Sequence, residues 1–325
     1  MIDDFLKTAG WGDAALTPLA GDASARRYSR LHHGNDTAIL MDDPEGDTGL
    51  FARLARHLRG LGLSAPEILA EAPGLLLLED LGDGLIARLA TDAESEKRLY
   101  LCATDALVAL HRHPPPSDLP VADPARLAAM TDLAFSVYAA NAGTPIAPEI
   151  MHECAAAFER ALLAHAPETD VMILRDYHAE NILWLPDREG AARAGLLDFQ
   201  DALQGHRAYD LVSLVEDARR DVSPETAEAA IRHYLAATGL PEAPFRAALA
   251  VLGAQRNLRI LGVFARLAAA RGKPGYIDLV PRVWRHLQTD LQHPALSEVA
   301  GLLRGALPAP TPDVLQRLKS PCPTR

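Results

Sequence analysis

The sequence predicts an α+β fold, with a small β-rich N-lobe over residues 1–80 and a larger, mainly helical C-lobe over residues 81–307. Short apolar runs bounded by turn residues fill the first quarter of the chain, which is typical of strands. Apolar residues at helical spacing dominate most of the remainder. A length of 325 residues is enough for two such lobes. The Pro-rich stretch 308–325 is expected to be a loosely held tail.

The N-lobe is predicted to contain an antiparallel meander and a hairpin. A polar turn at 32–36 separates the last two strands of the meander, and a Pro-Gly turn separates the two strands of the hairpin. An amphipathic helix at 50–61 lies between meander and hairpin, with Leu50, Leu54, Leu58 and Leu61 at helical spacing. Strands are predicted at 16–20, 26–31, 37–41, 68–70 and 75–78.

The C-lobe is predicted to be a series of helices with one β-containing insertion. Three successive prolines at 114–116 end the first of these helices. Short extended segments are expected within residues 170–203. Helices are predicted at 94–113, 124–141, 147–165, 207–219, 223–238, 242–271 and 277–291. Extended segments are predicted at 171–174, 182–185 and 195–199.

Composition excludes several functional classes. The net charge is -11 and no basic stripe with interleaved aromatic residues occurs, so nucleic acid is not an expected partner. The 3 cysteines are far apart and form no Cys-x-x-Cys, which disfavours a disulfide framework or zinc site and fits a reducing cytoplasm. No signal peptide is expected, and no apolar run approaches the roughly 20 residues of a membrane span. The sequence leaves the oligomeric state open.

Three residues point to phosphoryl transfer. Asp176 and Asn181 form a D-x-x-x-x-N pattern on one loop, and Asp198 follows at the end of a short apolar run. Kinases use such a set: one carboxylate accepts the proton of the attacking hydroxyl, while an amide oxygen and a second carboxylate hold magnesium. A lone D-x-x-x-x-N is more often a chance loop, but the order and spacing of all three residues favour a catalytic loop. We therefore predict ATP and Mg²⁺ as cofactors, Asp176 as the base, and Asn181 and Asp198 as metal ligands.

Further residues are assigned by their place around this loop. Asp201 either contacts substrate or a second ion, or caps the next segment, and Asp210 is expected to be an N-cap or a brace for the catalytic loop.

Glu79 and Leu81 mark a hinge between the lobes, where main-chain groups would hold adenine. The turn between the first two strands has small residues that allow backbone N–H groups to approach phosphate, although a plain hairpin turn is an equal alternative. The candidate phosphate-binding residues are Gly21, Ala23, Ser24, Arg26 and Arg27.

No G-x-x-x-x-G-K-[ST] occurs, which excludes a P-loop enzyme, and no G-x-S-x-G occurs to support a serine hydrolase. A small β-rich lobe, a Gly-containing hinge and a helical lobe together predict a two-lobed protein-kinase-like fold.

The chain resembles the aminoglycoside phosphotransferase/choline kinase-like superfamily, and within it is most similar to the N-acetylmuramate/N-acetylglucosamine anomeric kinases of cell-wall recycling. The resemblance implies phosphorylation of a sugar C1 hydroxyl by ATP and magnesium, with a sugar 1-phosphate as product. It implies that this product feeds a nucleotidyltransferase making a UDP-sugar for peptidoglycan. The segments that carry it are 21–28, 77–82, 175–181, 198–202, 209–214, 261–267 and 272–276.

The sequence departs from the superfamily pattern in two places. Most of the superfamily has a Lys on the third strand that contacts the triphosphate, but this chain has none there. The resembled subgroup also lacks this Lys. Arg26, Arg27 and Arg30 are candidates to replace it. Arg and Lys differ as phosphate ligands. Leu174 stands where a His usually precedes the catalytic loop, and we expect this to change packing rather than chemistry.

Two other functions stay open. The first is a kinase for another small hydroxyl compound, such as choline or an aminoglycoside, whose positive charge would favour an acidic pocket. Candidate residues for that pocket are Glu149, Glu153 and Glu216. The carboxylate of N-acetylmuramate would instead favour Arg256, Arg266 or Lys273. The second alternative is a non-catalytic nucleotide-binding protein, suggested by the missing Lys and opposed by the three intact loop residues.

Overall fold

The computed structural model describes residues 2–19 and 26–320. Contacts divide the chain into two compact units. The first comprises residues up to His113 together with Ala179–Ala202, and the second comprises Pro114–His178 together with residues from Leu203 onward. This division differs from the predicted boundary at residue 80, because residues 81–113 and 179–202 cluster with the first unit, and from that at residue 307, because the residues that follow belong to the second unit.

The first unit is built on a five-stranded antiparallel sheet of order β1-β2-β3-β5-β4. The predicted meander forms its first three strands and the predicted hairpin its last two. The strands are β1 Ala15–Pro18, β2 Arg27–His33, β3 Asp36–Asp42, β4 Ile68–Ala72 and β5 Leu75–Glu79.

The sheet shares an apolar core with the N-terminal helix. Leu31, Leu40 and Leu77 are buried together with Leu6 of α1, which spans Ile2–Thr8. The sequence does not reveal α1, because two turns are too short for a periodic pattern. The remaining helices of this unit are α2 Thr48–Gly60, α3 Ile86–Leu89 and α4 Ala93–Leu110.

The segment 179–202 is a hairpin attached to the first unit. A 3₁₀ turn at Ala179–Asn181 leads into β7 Ile182–Trp184, and a second at Gly190–Arg193 leads into β8 Ala194–Leu196. The two strands pair antiparallel, as the sequence predicts. Backbone hydrogen bonds from the Leu196 N–H to Ser64 and from the Trp184 N–H to Gly84, each 2.7 Å, hold the hairpin in this unit.

The second unit is mainly helical and contains the short strand pair β6 Val171–Ile173 and β9 Leu203–Gly205. The fold class is therefore as predicted, with a small antiparallel sheet and a mostly helical remainder. The helices are α5 Pro124–Ala129, α6 Pro148–His165, α7 Ala208–Val215, α8 Pro224–Thr238, α9 Glu242–Arg271, α10 Val280–Asp290, α11 Ser297–Ala306 and α12 Pro312–Lys319.

The predicted helix at 94–113 ends at Leu110, and three further predicted helices are shorter than expected for local reasons. The one at 124–141 divides into α5 and a π-helix at Ala134–Ala139, since the Thr131 hydroxyl donates to the Ala128 carbonyl where α5 ends. The one at 207–219 ends at Val215. The Arg219 N–H there bonds the Asp217 side chain instead of a helical carbonyl. The one at 277–291 begins with a 3₁₀ segment.

The expectation of a loosely held tail is wrong for residues 308–319. The Tyr138 hydroxyl donates to the Pro308 carbonyl at 2.8 Å, and Thr311 caps α12. Val314 and Leu318, four residues apart, place two apolar side chains on the buried face of α12. Residues 321–325 lie outside the described part of the chain. No helix of the described residues is long and apolar enough to cross a membrane.

Candidate active site

The loop that carries Asp176 has an unusual backbone. Arg175 adopts a left-handed conformation with φ of 72°, and the Asp176 N–H donates to the Leu174 carbonyl at 2.9 Å, closing a three-residue turn. Among the described residues only Arg175 and Asp198 combine a side chain with a positive φ. Such conformations cost about 1–3 kcal/mol each and persist where the surroundings hold them in place. Both lie in the segments that the sequence assigns to the active site.

The side chain of Asp210 holds this loop in place. Its fully buried carboxyl accepts the Leu174 N–H at 2.6 Å and the Arg175 N–H at 2.9 Å. Burial raises the pKa of Asp210 to about 7, against the lowering effect of these two N–H donors and of Arg256. Of the two expected roles, the structure therefore favours the brace, because the carboxyl contacts the loop rather than the first turn of α7.

A second connection reaches the loop from α9. The Arg256 guanidinium donates to the Ser213 hydroxyl at 2.8 Å, and that hydroxyl donates to the Arg175 carbonyl at 3.2 Å. Arg256 is only 5% exposed. The strained residue is thus fixed at its N–H by Asp210 and at its C=O by Ser213.

His178, which the sequence also places in the loop, is held by Arg219. The Arg219 guanidinium lies 2.7 Å from His178 Nε2. Burial lowers the pKa of His178 well below its usual value, and the charges of Arg219 and Arg256 lower it further. Since arginine can only donate, Nε2 of the neutral ring is the acceptor.

In the first unit, the two predicted metal ligands are brought together. Asn181 Nδ2 lies 3.4 Å from Asp198 Oδ2, and the Gln200 side chain donates to Asp198 Oδ1 at 2.6 Å. The backbone connects them as well, because the Leu197 N–H donates to the Asn181 carbonyl at 3.0 Å. The Asp198 side chain is 45% exposed. Gln200 is a residue that motif reasoning did not assign to this role.

Arg26 is the candidate phosphate ligand that reaches this pair. Its Nη1 lies 3.8 Å from Asp198 Oδ1, and its Nε donates to Asp43 at 2.9 Å. The Arg27 side chain is 74% exposed and pairs with Asp42. Arg30 pairs with Asp80 and Asp83. Of the three arginines considered as replacements for the missing Lys, only Arg26 contacts a predicted metal ligand among the described residues.

The donor set of this pair fits magnesium. Mg²⁺ prefers oxygen ligands and is usually held by one or two protein groups together with water and substrate phosphates. An exposed carboxylate beside an amide supplies two such groups, with the Asn181 amide nitrogen 3.4 Å from the Asp198 carboxyl. No larger cluster of metal-binding side chains occurs in the described ranges.

The hinge residues take different positions. The Glu79 side chain is engaged by Arg188 at 2.5 Å and by Arg59 at 3.1 Å, and its main-chain N–H donates to the Glu67 carbonyl at 2.8 Å. Leu81 is partly exposed, and its N–H and C=O enter no backbone hydrogen bond of the described chain. Leu81 is therefore the better candidate to bind adenine through its main chain.

The remaining candidates are dispersed. Asp201 is exposed, and Arg266 and Lys273 lie ten and seventeen residues after Arg256 on or beyond α9, roughly 15 and 25 Å along its axis. Glu149 and Glu153 are exposed on α6, whereas Glu216 is hydrogen-bonded by Asn257. Because these glutamates have such different surroundings, the acidic pocket suggested for a cationic substrate lacks structural support. The candidates Gly21, Ala23 and Ser24 lie outside the described residues.

A small antiparallel sheet, a helical second unit and a braced loop bearing Asp176 define a kinase-like phosphotransferase. The chain belongs to the phosphotransferase enzyme family, whose sequence model matches residues 15–250. The family connects the fold to an enzymatic activity with hydroxyl acceptors, and this confirms the prediction of an enzyme.

Individual relatives agree with this membership. The chain is 39% identical to an N-acetylmuramate/N-acetylglucosamine kinase of Caulobacter vibrioides, covering 94% of this chain and 96% of the relative. It is 33% identical to the enzyme of the same name from Pseudomonas aeruginosa, covering 93% and 92%. Both the superfamily and the subgroup of the resemblance are thereby confirmed.

Solved structures confirm the fold. A choline/ethanolamine kinase family protein from Mesorhizobium loti aligns with a TM-score of 0.62 at 18% identity, covering 92% of this chain and 95% of that protein. A choline kinase from Streptococcus pneumoniae aligns with a TM-score of 0.61 at 13% identity, covering 87% and 96%.

Proposed function

We propose that this protein is an ATP-dependent sugar kinase that phosphorylates the C1 hydroxyl of N-acetylmuramate and N-acetylglucosamine. Two relatives named for these sugars match nearly the whole chain at 39% and 33% identity. The structural observation that carries the proposal is the loop bearing Asp176, whose strained backbone is fixed by both carboxyl oxygens of buried Asp210. A reaction that depends on orienting one carboxylate requires such a rigid loop.

Asp176 orients the acceptor in this mechanism. Its carboxylate accepts a hydrogen bond from the C1 hydroxyl and aligns the oxygen with the γ-phosphorus of ATP. The new O–P bond forms as the bond from the γ-phosphorus to the bridging oxygen breaks, and ADP leaves. Because the transition state is loose, the hydroxyl proton passes to Asp176 late, so position matters more than basicity.

Asn181 and Asp198 would hold Mg²⁺, which neutralises charge on the phosphates. Arg26, beside Asp198, is the residue that we assign to the role of the missing strand Lys. Its guanidinium is permanently charged and can contact two phosphate oxygens at once. We place the reaction in the cytoplasm, where ATP is available.

An acceptor panel tests the proposal. Protein, ATP and Mg²⁺ are incubated with N-acetylmuramate, N-acetylglucosamine, choline or kanamycin, and ADP release is measured. We expect turnover with the two amino sugars, and a kcat lower by about 10²–10⁴-fold in Asp176→Asn. Turnover with only choline or kanamycin would contradict a sugar acceptor and would identify that class of compound as the substrate. ATP binding without any turnover would favour a non-catalytic protein.

A further inference from the structure

Two arginines lie one turn apart on the face of α9 that contacts the catalytic loop. Arg256 reaches the loop through Ser213, whose hydroxyl donates to the Arg175 carbonyl. Arg259 follows at the i+3 position and therefore shares this face. Asp176 and Arg175 are among the charged groups that act electrostatically on the Arg259 guanidinium. Arg259 is thus placed near the base, although no motif in the sequence singled it out.

The positive charge of this pair is not matched by carboxylate contacts. Arg256 Nη1 is buried and has no hydrogen-bond partner. Within the described chain, Arg259 forms neither a hydrogen bond nor an ion pair. Asp210 and Glu216 act electrostatically on Arg256 without forming an ion pair with it, and the Asp210 carboxyl already accepts two backbone N–H groups.

Other arginines of the same unit differ in this respect. Arg207 pairs with Asp170, and Arg246 and Arg282 each hold a carboxylate at 2.7–2.9 Å. An arginine near the base without such a partner has its donors available for an anion on a ligand. The partial burial of Arg259, which lowers its pKa, makes an ion pair there stronger than one at the surface.

The two sugars of the proposed function differ in one relevant group. N-acetylmuramate carries a lactyl ether that ends in a carboxylate, and N-acetylglucosamine has a hydroxyl at that position. The lactyl group is attached at O3, two ring carbons from C1, so the anchor of its carboxylate must be near Asp176 without contacting the reacting oxygen. A guanidinium one turn along α9 from the loop connection meets this requirement.

We propose that Arg259 binds the carboxylate of an acidic amino sugar and so determines the preference for the acidic over the neutral acceptor. Arg256 is a positioning residue, which acts through Ser213 and the loop. This inference rests on the proposed function, because it assumes that both sugars are acceptors. It assigns to Arg259 a role in specificity that is separate from phosphoryl transfer.

The test compares KM and kcat for both sugars in wild type, Arg259→Gln and Arg259→Lys. For Arg259→Gln we expect KM for N-acetylmuramate to rise about tenfold to a hundredfold, the usual effect of removing a charged hydrogen bond. KM for N-acetylglucosamine should change much less than KM for N-acetylmuramate, because the neutral sugar has no carboxylate to lose. Arg259→Lys should recover part of the loss, since it keeps the charge without the planar geometry.

Two controls sharpen the comparison. Arg271→Gln removes an exposed arginine at the end of the same helix and should leave both KM values unchanged. The methyl ester of N-acetylmuramate lacks the negative charge, so wild type should bind it as weakly as Arg259→Gln binds the acid. Thermal unfolding of each variant separates a binding defect from a folding defect.

Other outcomes are distinguishable. An equal fall in kcat for both sugars in Arg259→Gln would overturn the inference and assign the guanidinium to the transferred phosphoryl group. Unchanged KM for the acidic sugar would overturn it as well. If wild type phosphorylates neither sugar, the proposed function itself fails.

Discussion

Backbone strain and side-chain hydrogen bonding coincide at two residues of the motifs that predict phosphoryl transfer. Arg175 precedes Asp176, the proposed base, Asp198 is a metal-ligand candidate, and both Arg175 and Asp198 have a left-handed backbone. Each is held by side chains distant in sequence or by neighbours in its own turn, such as Asp210 for Arg175 and Gln200 for Asp198. Backbone strain at these positions is consistent with selection for side-chain placement rather than for stability.

The metal assignment can be tested with Asp198→Asn. An amide has no negative charge and binds Mg²⁺ more weakly, so we expect the Mg²⁺ concentration for half-maximal activity to rise about tenfold or more and kcat to fall. The measurement is a Mg²⁺ titration of the kinase rate at saturating ATP. Asp187→Asn, an exposed residue of the β7–β8 hairpin, is the matched control. Equal titration curves for Asp198→Asn and wild type would remove Asp198 from the metal site.

At the residue scale, sequence patterns predict functional residues that lie close together in the chain, but not contacts between residues far apart in it. Asp176 and Asn181 can be found because their spacing is itself the signal. Arg219 and Ser213 could not be found, since they reach the loop from 41 and 38 residues away. The hydrogen bonds that decide between a brace and a cap for Asp210 likewise span 35 and 36 residues.

At the scale of elements, α7 supports the loop that carries Asp176 through Asp210 and Ser213. Asp210→Asn keeps the shape of the side chain but turns one acceptor into a donor that faces a backbone N–H. We expect kcat to fall about tenfold to a hundredfold through misplacement of Asp176, with a smaller change in KM for ATP. We also expect lower stability, by about 1–3 kcal/mol. Steady-state kinetics and urea unfolding check both, with exposed Glu225→Gln on α8 as the control. Wild-type values for Asp210→Asn would show that the brace is not needed.

Glycine allows α9 to approach the segment before the π-helix. A Cβ on Gly262 would lie 2.3 Å from the Leu133 carbonyl carbon, so the backbone would have to move. We expect Gly262→Ala to reduce the free energy of unfolding by about 1–3 kcal/mol. Gly301→Ala in α11 has open space and should raise it by about 0.5–1 kcal/mol, the usual helical preference for Ala. Chemical denaturation measures both, and equal effects would contradict the close contact.

Helices were predicted correctly where they are long and where no side chain competes for their backbone hydrogen bonds. The 30-residue α9 and the 15-residue α8 have many apolar repeats, and their predicted ends are close to the observed ones. The predicted helix at 124–141 was divided, because a threonine side chain competes with the helical hydrogen bonds. The tail was misjudged because its prolines obscured two apolar residues four apart in α12.

At the scale of the whole molecule, a buried carboxyl pair links stability to pH. Asn257 donates to Glu216 at 2.7 Å and to Asp290 at 3.1 Å. Burial raises the pKa of Asp290, and the negative charge of Glu216 raises it further, to about 10. The folded state therefore keeps a proton that the unfolded chain loses above about pH 4.

The proton that Asp290 keeps in the folded state determines whether stability rises or falls with pH. Since the folded state binds more protons between these two pKa values, its stability falls as pH rises, by about 1 kcal/mol per pH unit for one group. We expect the free energy of unfolding of wild type to fall between pH 7.5 and 8.5, and Asp290→Asn to show a flatter dependence. Urea unfolding at the two pH values measures this. Parallel slopes for wild type and variant would contradict a retained proton.

The general kinase-like architecture was predictable from the sequence, because strand runs, helical spacing and the loop motif agree. The division into compact units was not, since it depends on where the hairpin at 179–202 packs. The proposed function adds a claim that fold and family alone do not make, namely that the acceptor is the anomeric hydroxyl of a sugar.

The position of the phosphate in the product tests this claim most directly. N-acetylmuramate is converted with ATP and Mg²⁺, and the product is examined by ³¹P–¹H correlation and by borohydride reduction. We expect phosphorus coupled to the anomeric proton and a sugar that resists reduction, because its reducing end is blocked. Phosphorus coupled to the protons on C6, with the reducing end intact, would contradict anomeric phosphorylation while leaving the kinase assignment in place.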